Sequence, residues 1–283
     1  MREDDAYGTA ADGRSGSDRD AKGSLVVVGT GIRTVGHLTL EAIAWMKKAD
    51  KVLYVVGDPI AEDVIADLNP EGAESLSGMY GEGKPRLQTY NEMVERILEC
   101  VRAGMLTCVA CYGHPGVFVH PSHESIRRAR AEGYEARMLP GISSEDCLFA
   151  DLGVDPGMLG CQSYEATDFF ANGRKIDPTS SVILWQIGVV GDATFKQNGY
   201  DLSAFPLLIE RLLEYYPPTH VVYLYQAAVF PGCEPVIWPV PLHSLGQAPL
   251  SAGFTLYIPP AYPTAGDPVT YYRMQALAPQ SLA

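Results

Sequence analysis

The chain is 283 residues long, 47% apolar and 19% charged, which is ordinary for a globular protein and long enough for two α/β units with cores of their own. A formal net charge of −13 argues against a nucleic-acid backbone as partner, because that contact needs a basic surface. No apolar run reaches the roughly 18–20 residues of a membrane-spanning helix. The polar N-terminus lacks the apolar stretch of a signal peptide, so the expected compartment is the cytoplasm.

Residues 1–23 are rich in Asp, Gly, Ala and Arg without a period, and are expected to form a disordered tail. An apolar run at 24–28 reads as a central parallel strand and ends at Gly29-Thr30-Gly31. A helix over 39–46 follows, with Thr39 as N-cap and Leu40, Ile43 and Ala44 on one face. The second strand covers 51–56, a helix 61–68 and a loop 69–78. A tyrosine/arginine loop then runs from Met79 to Tyr90 and leads into a helix over 91–103, with Met93, Ile97 and Val101 spaced by four.

The third strand, 105–111, delivers Tyr112-Gly113-His114-Pro115-Gly116. A helix over 122–132, a fourth strand over 135–139, the turn Pro140-Gly141-Ile142-Ser143-Ser144 and a helix over 145–152 complete the first half. Strand, loop and helix in repetition predict a doubly wound parallel sheet, whose ligands bind beyond the carboxyl ends of the strands. The glycine loops at 29–31, 113–116 and 141–144 all fall there.

After a linker at Asp155-Pro156-Gly157, strands are expected at 160–165, 181–187, 220–225 and 254–258, with a helix at 206–216. Strands with few intervening helices suggest a mixed sheet. The expected division is a tail at 1–23, an N-terminal α/β domain at 24–154, a C-terminal α/β domain at 155–260 and a tail at 261–283, which holds a short helix at 271–277. A cleft between the domains is the expected cofactor site.

Among candidate chemistries, Gly29-Thr30-Gly31 is an incomplete dinucleotide fingerprint, since position 34 is Thr34 and Gly36 comes too late. Cys108 and Cys111 have the spacing of a zinc pair, but they lie in a buried-strand pattern without a second pair and read as inert thiols. No metal is expected. A guanidinium beside Tyr80 and Tyr90 favours their phenolates, so the loop can hold a general base, and Arg86 can instead stabilise charge on a carbonyl oxygen. The same residues also fit half-buried packing around a solvated arginine. Tyr112 points toward the same crevice, and His114 reads as a base or as a structural residue of its turn.

Leu25-Val26-Val27-Val28-Gly29-Thr30-Gly31, Tyr112-Gly113-His114-Pro115-Gly116-Val117-Phe118 and Leu139-Pro140-Gly141-Ile142-Ser143-Ser144 resemble the tetrapyrrole methylase superfamily. Its members are S-adenosylmethionine enzymes of two α/β domains with the cofactor in the cleft between them. Within it, the spacing of Tyr80, Arg86 and Tyr90, the runs at 113–119, 121–123, 132–141 and 145–152, Tyr164-Glu165-Ala166 with Asp168, and Tyr257-Ile258-Pro259-Pro260 resemble the borosin peptide backbone α-N-methyltransferases. The resemblance covers residues 24–260.

It implies methylation of backbone amides of a ribosomally made peptide, with S-adenosyl-L-methionine converted to S-adenosyl-L-homocysteine and no metal. By position it assigns catalysis to Tyr80, Arg86, Tyr90 and Tyr112. It assigns cofactor contacts to Tyr112, His114, Val117, Ser143, Ser144, Gln186, Gln226 and Thr255. Where the family often has a further loop tyrosine, this chain has Ser77. The chain ends 23 residues after Pro260, which resembles split members that take a separate precursor peptide; family members work as homodimers. The rival readings are a methylase of a tetrapyrrole ring and a non-catalytic peptide-binding partner of the same fold.

Overall fold

A computed structural model describes residues 22–277. The tail expected at 1–23 lies outside them except for its last two residues, and so does the end of the tail expected at 261–283. The first sheet comprises β1 (Ser24–Gly29), β2 (Lys51–Val55), β3 (Ala73–Ser75), β4 (Leu106–Cys111) and β5 (Glu135–Met138), all parallel, in the order β3-β2-β4-β1-β5. Between its strands run α1 (Thr34–His37), α2 (Leu40–Lys48), α3 (Pro59–Leu68), α4 (Arg86–Arg102) and α5 (His120–Ala131). After β5 come α6 (Ser144–Leu152) and the single turn α7 (Pro156–Leu159).

Alternation along β1 divides the core into two layers. Leu25 and Val27 pack with Met93, Ile97 and Val101 of α4 and Ile126 and Ala129 of α5. Val26 and Val28 pack with Ala42 and Met46 of α2 and Ile65 of α3. Each such aliphatic side chain, fully buried, stabilises the fold by about 1.5–3 kcal/mol. Thr39 Oγ1 accepts from the Ala42 amide at 3.1 Å and Asp58 Oδ1 from the Ala61 amide at 2.9 Å, which starts α2 and α3.

The second sheet takes β6 (Cys161–Glu165), β7 (Ser181–Trp185), β8 (Val221–Gln226), β9 (Val236–Pro241) and β10 (Thr255–Ile258) in the order β6-β7-β10-β8-β9. Only β6 and β7 are parallel; the other pairs are antiparallel. One face is covered by α8 (Ala166–Ala171) and α9 (Phe205–Leu213). The other carries Ile183, Trp185, Tyr225 and Tyr257, against which Leu148 of α6 packs, so this helix ties the two sheets together. A last helix, α10 (Pro268–Leu277), buries none of its residues. The doubly wound parallel sheet followed by a mixed one is the architecture expected from the sequence.

The structure corrects three expectations. The helix expected from residue 91 begins at Arg86, with Pro85 holding an extended conformation at its N-cap; Arg86 and Tyr90 therefore stand one turn apart on one helix face. The loop expected at 69–78 contains β3. Strand β9 was not expected because it holds Pro239 and Pro241, which an edge strand tolerates since it is paired on one side only.

Strand β3 is pinned by charge. Glu74 accepts two hydrogen bonds from Arg96, both 2.8 Å, and pairs with Lys51 at 2.7 Å. The Arg96 hydrogen bonds, against burial and with help from Lys51, hold the Glu74 carboxyl at about 2. A depressed carboxylate contributes stability above its unfolded pKa and loses it as the pH falls through the folded one. The melting temperature is therefore expected to fall as the pH drops from about 4.5 toward about 2. Glu74→Gln is expected to melt lower at neutral pH with a shallower fall across that window. Parallel melting curves for the two proteins would contradict the assignment.

Candidate active site

At the carboxyl ends of β1, β4 and β5 three loops meet on bare backbone. The Gly31 amide donates to the Gly113 carbonyl at 3.2 Å and the Gly113 amide to the Gly31 carbonyl at 3.0 Å. A Cβ at Gly29 would stand 2.3 Å from the Gly113 oxygen and 3.2 Å from the Gly141 Cα. Glycine at these positions is thus a packing requirement as well as a means of close approach.

A cavity of about 320 Å³ opens above this crossing. Tyr80, Tyr90, Tyr112, His114, Val117, Ser143 and Ser144 line it from the first half, and Gln186 and Thr255 from the second. Arg86 and Gln226 do not line it. The Gln226 amide stands 3.0 Å from where a Cβ on the lining residue Gly253 would be, next to the cavity wall and not in it. Arg86 donates through its guanidinium to the Asp192 carbonyl and stands 5.9 Å over the Tyr200 ring.

Two further roles narrow. Ser143 N-caps α6 in a capping box: its hydroxyl donates to Asp146 Oδ2 at 2.7 Å and accepts from the Asp146 amide at 3.2 Å. Its side chain is therefore committed to the helix start. His114 Nδ1 accepts from the Gly116 amide at 2.9 Å, which uses that nitrogen to shape the turn and leaves the rest of the ring to face the cavity.

The tyrosines form an aromatic wall. Tyr80 meets Tyr90 edge-on with centroids 6.5 Å apart, and Tyr90 stacks on His120 at 6.0 Å. Burial, reinforced by Tyr90, pushes the Tyr80 phenol far above its ordinary value; Arg86 opposes this only weakly. Burial also raises Tyr90, but there Arg86 and the Tyr80 hydroxyl both favour the phenolate. Burial pushes Tyr112 up to about 12. The sequence expectation that Arg86 lowers the tyrosines is right in sign and outweighed in size: desolvation is the larger effect.

The backbone conformation of two site residues had no signal in the sequence. Phe118 and Gln186 line the cavity with φ of 57° and 59°, left-handed conformations uncommon for residues with side chains. Phe118 is 48% exposed and faces Trp185 across the cleft at 5.7 Å. Their backbone state follows from loop closure, which no local pattern announces. Cys108 and Cys111 are buried, as expected, and burial pushes their thiols up to about 12 and about 11. Among the described residues no group of three or more His, Cys, Asp or Glu side chains could hold a metal ion.

The sequence profile of the Tetrapyrrole (Corrin/Porphyrin) Methylases matches residues 24–237. The methyltransferase/ribosomally synthesized cyclic peptide dendrothelin A precursor of Dendrothele bispora is 44% identical over 248 residues, 86% of this chain and 59% of that protein. The methyltransferase/ribosomally synthesized type I borosin cyclic peptide precursor of Coprinopsis marcescibilis is 44% identical over 253 residues, 86% of this chain and 63% of its own length. The chain thus spans about three fifths of these relatives. Uroporphyrin-III C-methyltransferase from Thermus thermophilus shares the fold: one structure matches with TM-score 0.61 at 19% identity, over 92% of this chain and all of that one. Another, complexed with S-adenosyl homocysteine, matches with TM-score 0.56 at 16% identity, over 84% and 92% of the two chains. With two parallel-to-mixed α/β sheets, a glycine-loop cavity between them and borosin methyltransferases among its similar relatives, the chain belongs to the tetrapyrrole (corrin/porphyrin) methylase family.

Proposed function

We propose that the protein is an S-adenosylmethionine-dependent methyltransferase that N-methylates backbone amides of a ribosomally synthesised precursor peptide. The observation that carries this reading is that Tyr80 and Tyr90 share one cavity with the glycine loops, with Arg86 one helical turn from Tyr90. A tetrapyrrole ring needs no such wall to become nucleophilic at carbon, whereas a peptide N–H is a very weak acid with a delocalised lone pair.

The residues fit the cofactor. The volume lies within the range of small-molecule sites, about 300–1,000 Å³, the Gly31/Gly113 crossing is bare backbone, and aromatic faces suit a sulfonium cation. Ser144, Gln186 and Thr255 supply side-chain hydrogen-bonding groups around that cradle. When bound, the cofactor supplies an electrophilic methyl group. The acceptor nitrogen forms the new N–CH₃ bond as the S–CH₃ bond breaks, and the amide proton leaves to a base.

Burial raises both loop tyrosines, but their neighbours act in opposite directions, and this divides their roles. Tyr90, whose phenolate is favoured by Arg86 and by the Tyr80 hydroxyl, is the better base; Tyr80, held neutral by burial, spends its one proton on the Tyr90 oxygen, which leaves the Arg86 guanidinium to stabilise the acceptor carbonyl oxygen. A cation close to either ring lowers its pKa further. Tyr112 and Val117 line the same cavity and would contact the donor there.

The peptide is proposed to be supplied as a separate chain, and the enzyme to act as a cytoplasmic homodimer. Exposed Tyr271, Tyr272, Met274 and Leu277 on α10 support association; light scattering of the purified protein tests it. The acceptor class is tested by incubating the protein with isotope-labelled S-adenosylmethionine and, in parallel, a library of synthetic peptides and uroporphyrinogen III. Label in peptides alone is expected. Label in the tetrapyrrole alone, or in neither, would overturn the reading.

A further inference from the structure

The catalytic loop does not stand by itself. Its tip, Gly81-Glu82-Gly83, carries two glycines, and such a loop loses much conformational freedom when ordered. It is held by a segment more than a hundred residues later. The Gly83 amide donates to the Phe195 carbonyl at 2.8 Å, the Phe195 amide to the Lys84 carbonyl at 2.9 Å and the Arg86 amide to the Ala193 carbonyl at 2.9 Å. Pro85 and Thr194 face each other as an antiparallel bridge. Glu82 accepts from the Gln197 amide at 2.8 Å.

Side chains complete the clamp. The Phe195 ring lies on Tyr80 with centroids 4.9 Å apart and planes 33° from parallel. The Asp192 carbonyl takes a hydrogen bond from the Arg86 guanidinium, and Asp192 Oδ1 in turn accepts from the Thr194 amide at 2.8 Å. Tyr200, beneath Arg86, accepts from the Lys196 amide at 3.2 Å. The segment comes one short turn after Trp185, the last residue of β7, and Gln186, both of which line the cavity.

We infer that residues 192–200 are a positioning element through which the second sheet fixes Tyr80 and Arg86, with Phe195 as the positioning residue for the Tyr80 ring. This rests on the reading of Tyr80 and Arg86 given above. The acceptor groups come from the first half and the clamp from the second, so whatever seats in the cavity between them also sets the tyrosine wall. Arg86 spends one donor on the clamp, and its planar fork keeps others for a substrate. Misplacement of a reacting group by about 1 Å costs on the order of 10²-fold in rate.

The test combines turnover with hydrogen exchange. In Phe195→Ala, kcat with a peptide identified by the acceptor screen is expected to fall about 10²-fold, with KM for S-adenosylmethionine within about threefold of the original, a margin of under 1 kcal/mol. Amides of residues 82–86 and 192–197 are expected to exchange faster together, with no cofactor present. Phe195→Tyr, which keeps the ring, is expected to restore most of the turnover. If the alanine variant does not fold, Phe195→Leu carries the test, since it keeps bulk and loses the flat face. Phe195→Ala with normal turnover beside an inactive Tyr80→Phe would overturn the inference alone. An active Tyr80→Phe would overturn the reading beneath it as well. Exchange that rises on one side of the clamp only would show that the two segments are not coupled.

Discussion

Arg86→Ala is expected to slow methyl transfer by about 10²–10³-fold, the cost of removing one preorganised donor from a charge-stabilising site. Cofactor affinity is expected to stay near its original value, because Arg86 is not among the residues that line the cavity. Two effects add. The guanidinium is the main influence, after burial, on the Tyr90 phenol and pulls against desolvation. It is also the cation proposed to stabilise the carbonyl oxygen on which negative charge builds as the amide gives up its proton. With the guanidinium gone, the Tyr90 pKa rises, so the ascending limb of the pH–rate profile is expected to move to higher pH. Loss of the bond to the Asp192 carbonyl costs about 1 kcal/mol of stability, too little to unfold a typical domain. Near-normal turnover in this variant, with the limb unmoved, would remove Arg86 from the chemistry.

The second large effect is structural. In Gly29→Ala the new Cβ would lie 2.3 Å from the Gly113 carbonyl oxygen, 2.9 Å from Pro115 Cδ and 3.2 Å from Gly141 Cα. Two of these are backbone atoms and the third is in a proline ring, so none yields as a flexible side chain would. Overpacking of this kind costs about 1–3 kcal/mol or more. The strain falls where β1, β4 and β5 deliver their loops. Gly29→Ala is therefore expected to lower the melting temperature and to weaken binding of S-adenosylhomocysteine at least tenfold, measured by calorimetry. Gly266→Ala, whose Cβ would meet nothing within 4 Å, is the control. Equal affinities in the two variants would show that the glycine crossing does not shape the cavity.

These effects bear on what a reader of the sequence could see. The buried parallel strands and the three glycine loops announce themselves, because a run such as Leu25-Val26-Val27-Val28 followed by Gly29-Thr30-Gly31 leaves few alternatives. The catalytic roles of the loop tyrosines and Arg86 were expectations from a family resemblance, since the residues alone fit packing equally well, and their helical setting was not legible: Pro85 marks a helix start that the tyrosine pattern obscured. Strand β9 was hidden by its prolines, which only the one-sided pairing of an edge strand permits. The clamp at 192–200 was invisible for a different reason. It has no period of its own, and its hydrogen bonds go to residues 81–86, a pairing that exists only once both sheets have formed. The pKa order of the tyrosines was equally out of reach, because it depends on burial more than on the neighbouring charge.

The most direct test of the central claim is to find the atom that receives the methyl group. The purified protein, S-adenosylmethionine and a peptide acceptor are incubated, and the product is fragmented in a tandem mass spectrometer. The account predicts mass increments of one methylene per transfer, placed on main-chain nitrogens between residues, absent when the acceptor bond is to proline and absent in Arg86→Ala. Methyl groups on side chains, on a terminus or on carbon would contradict it.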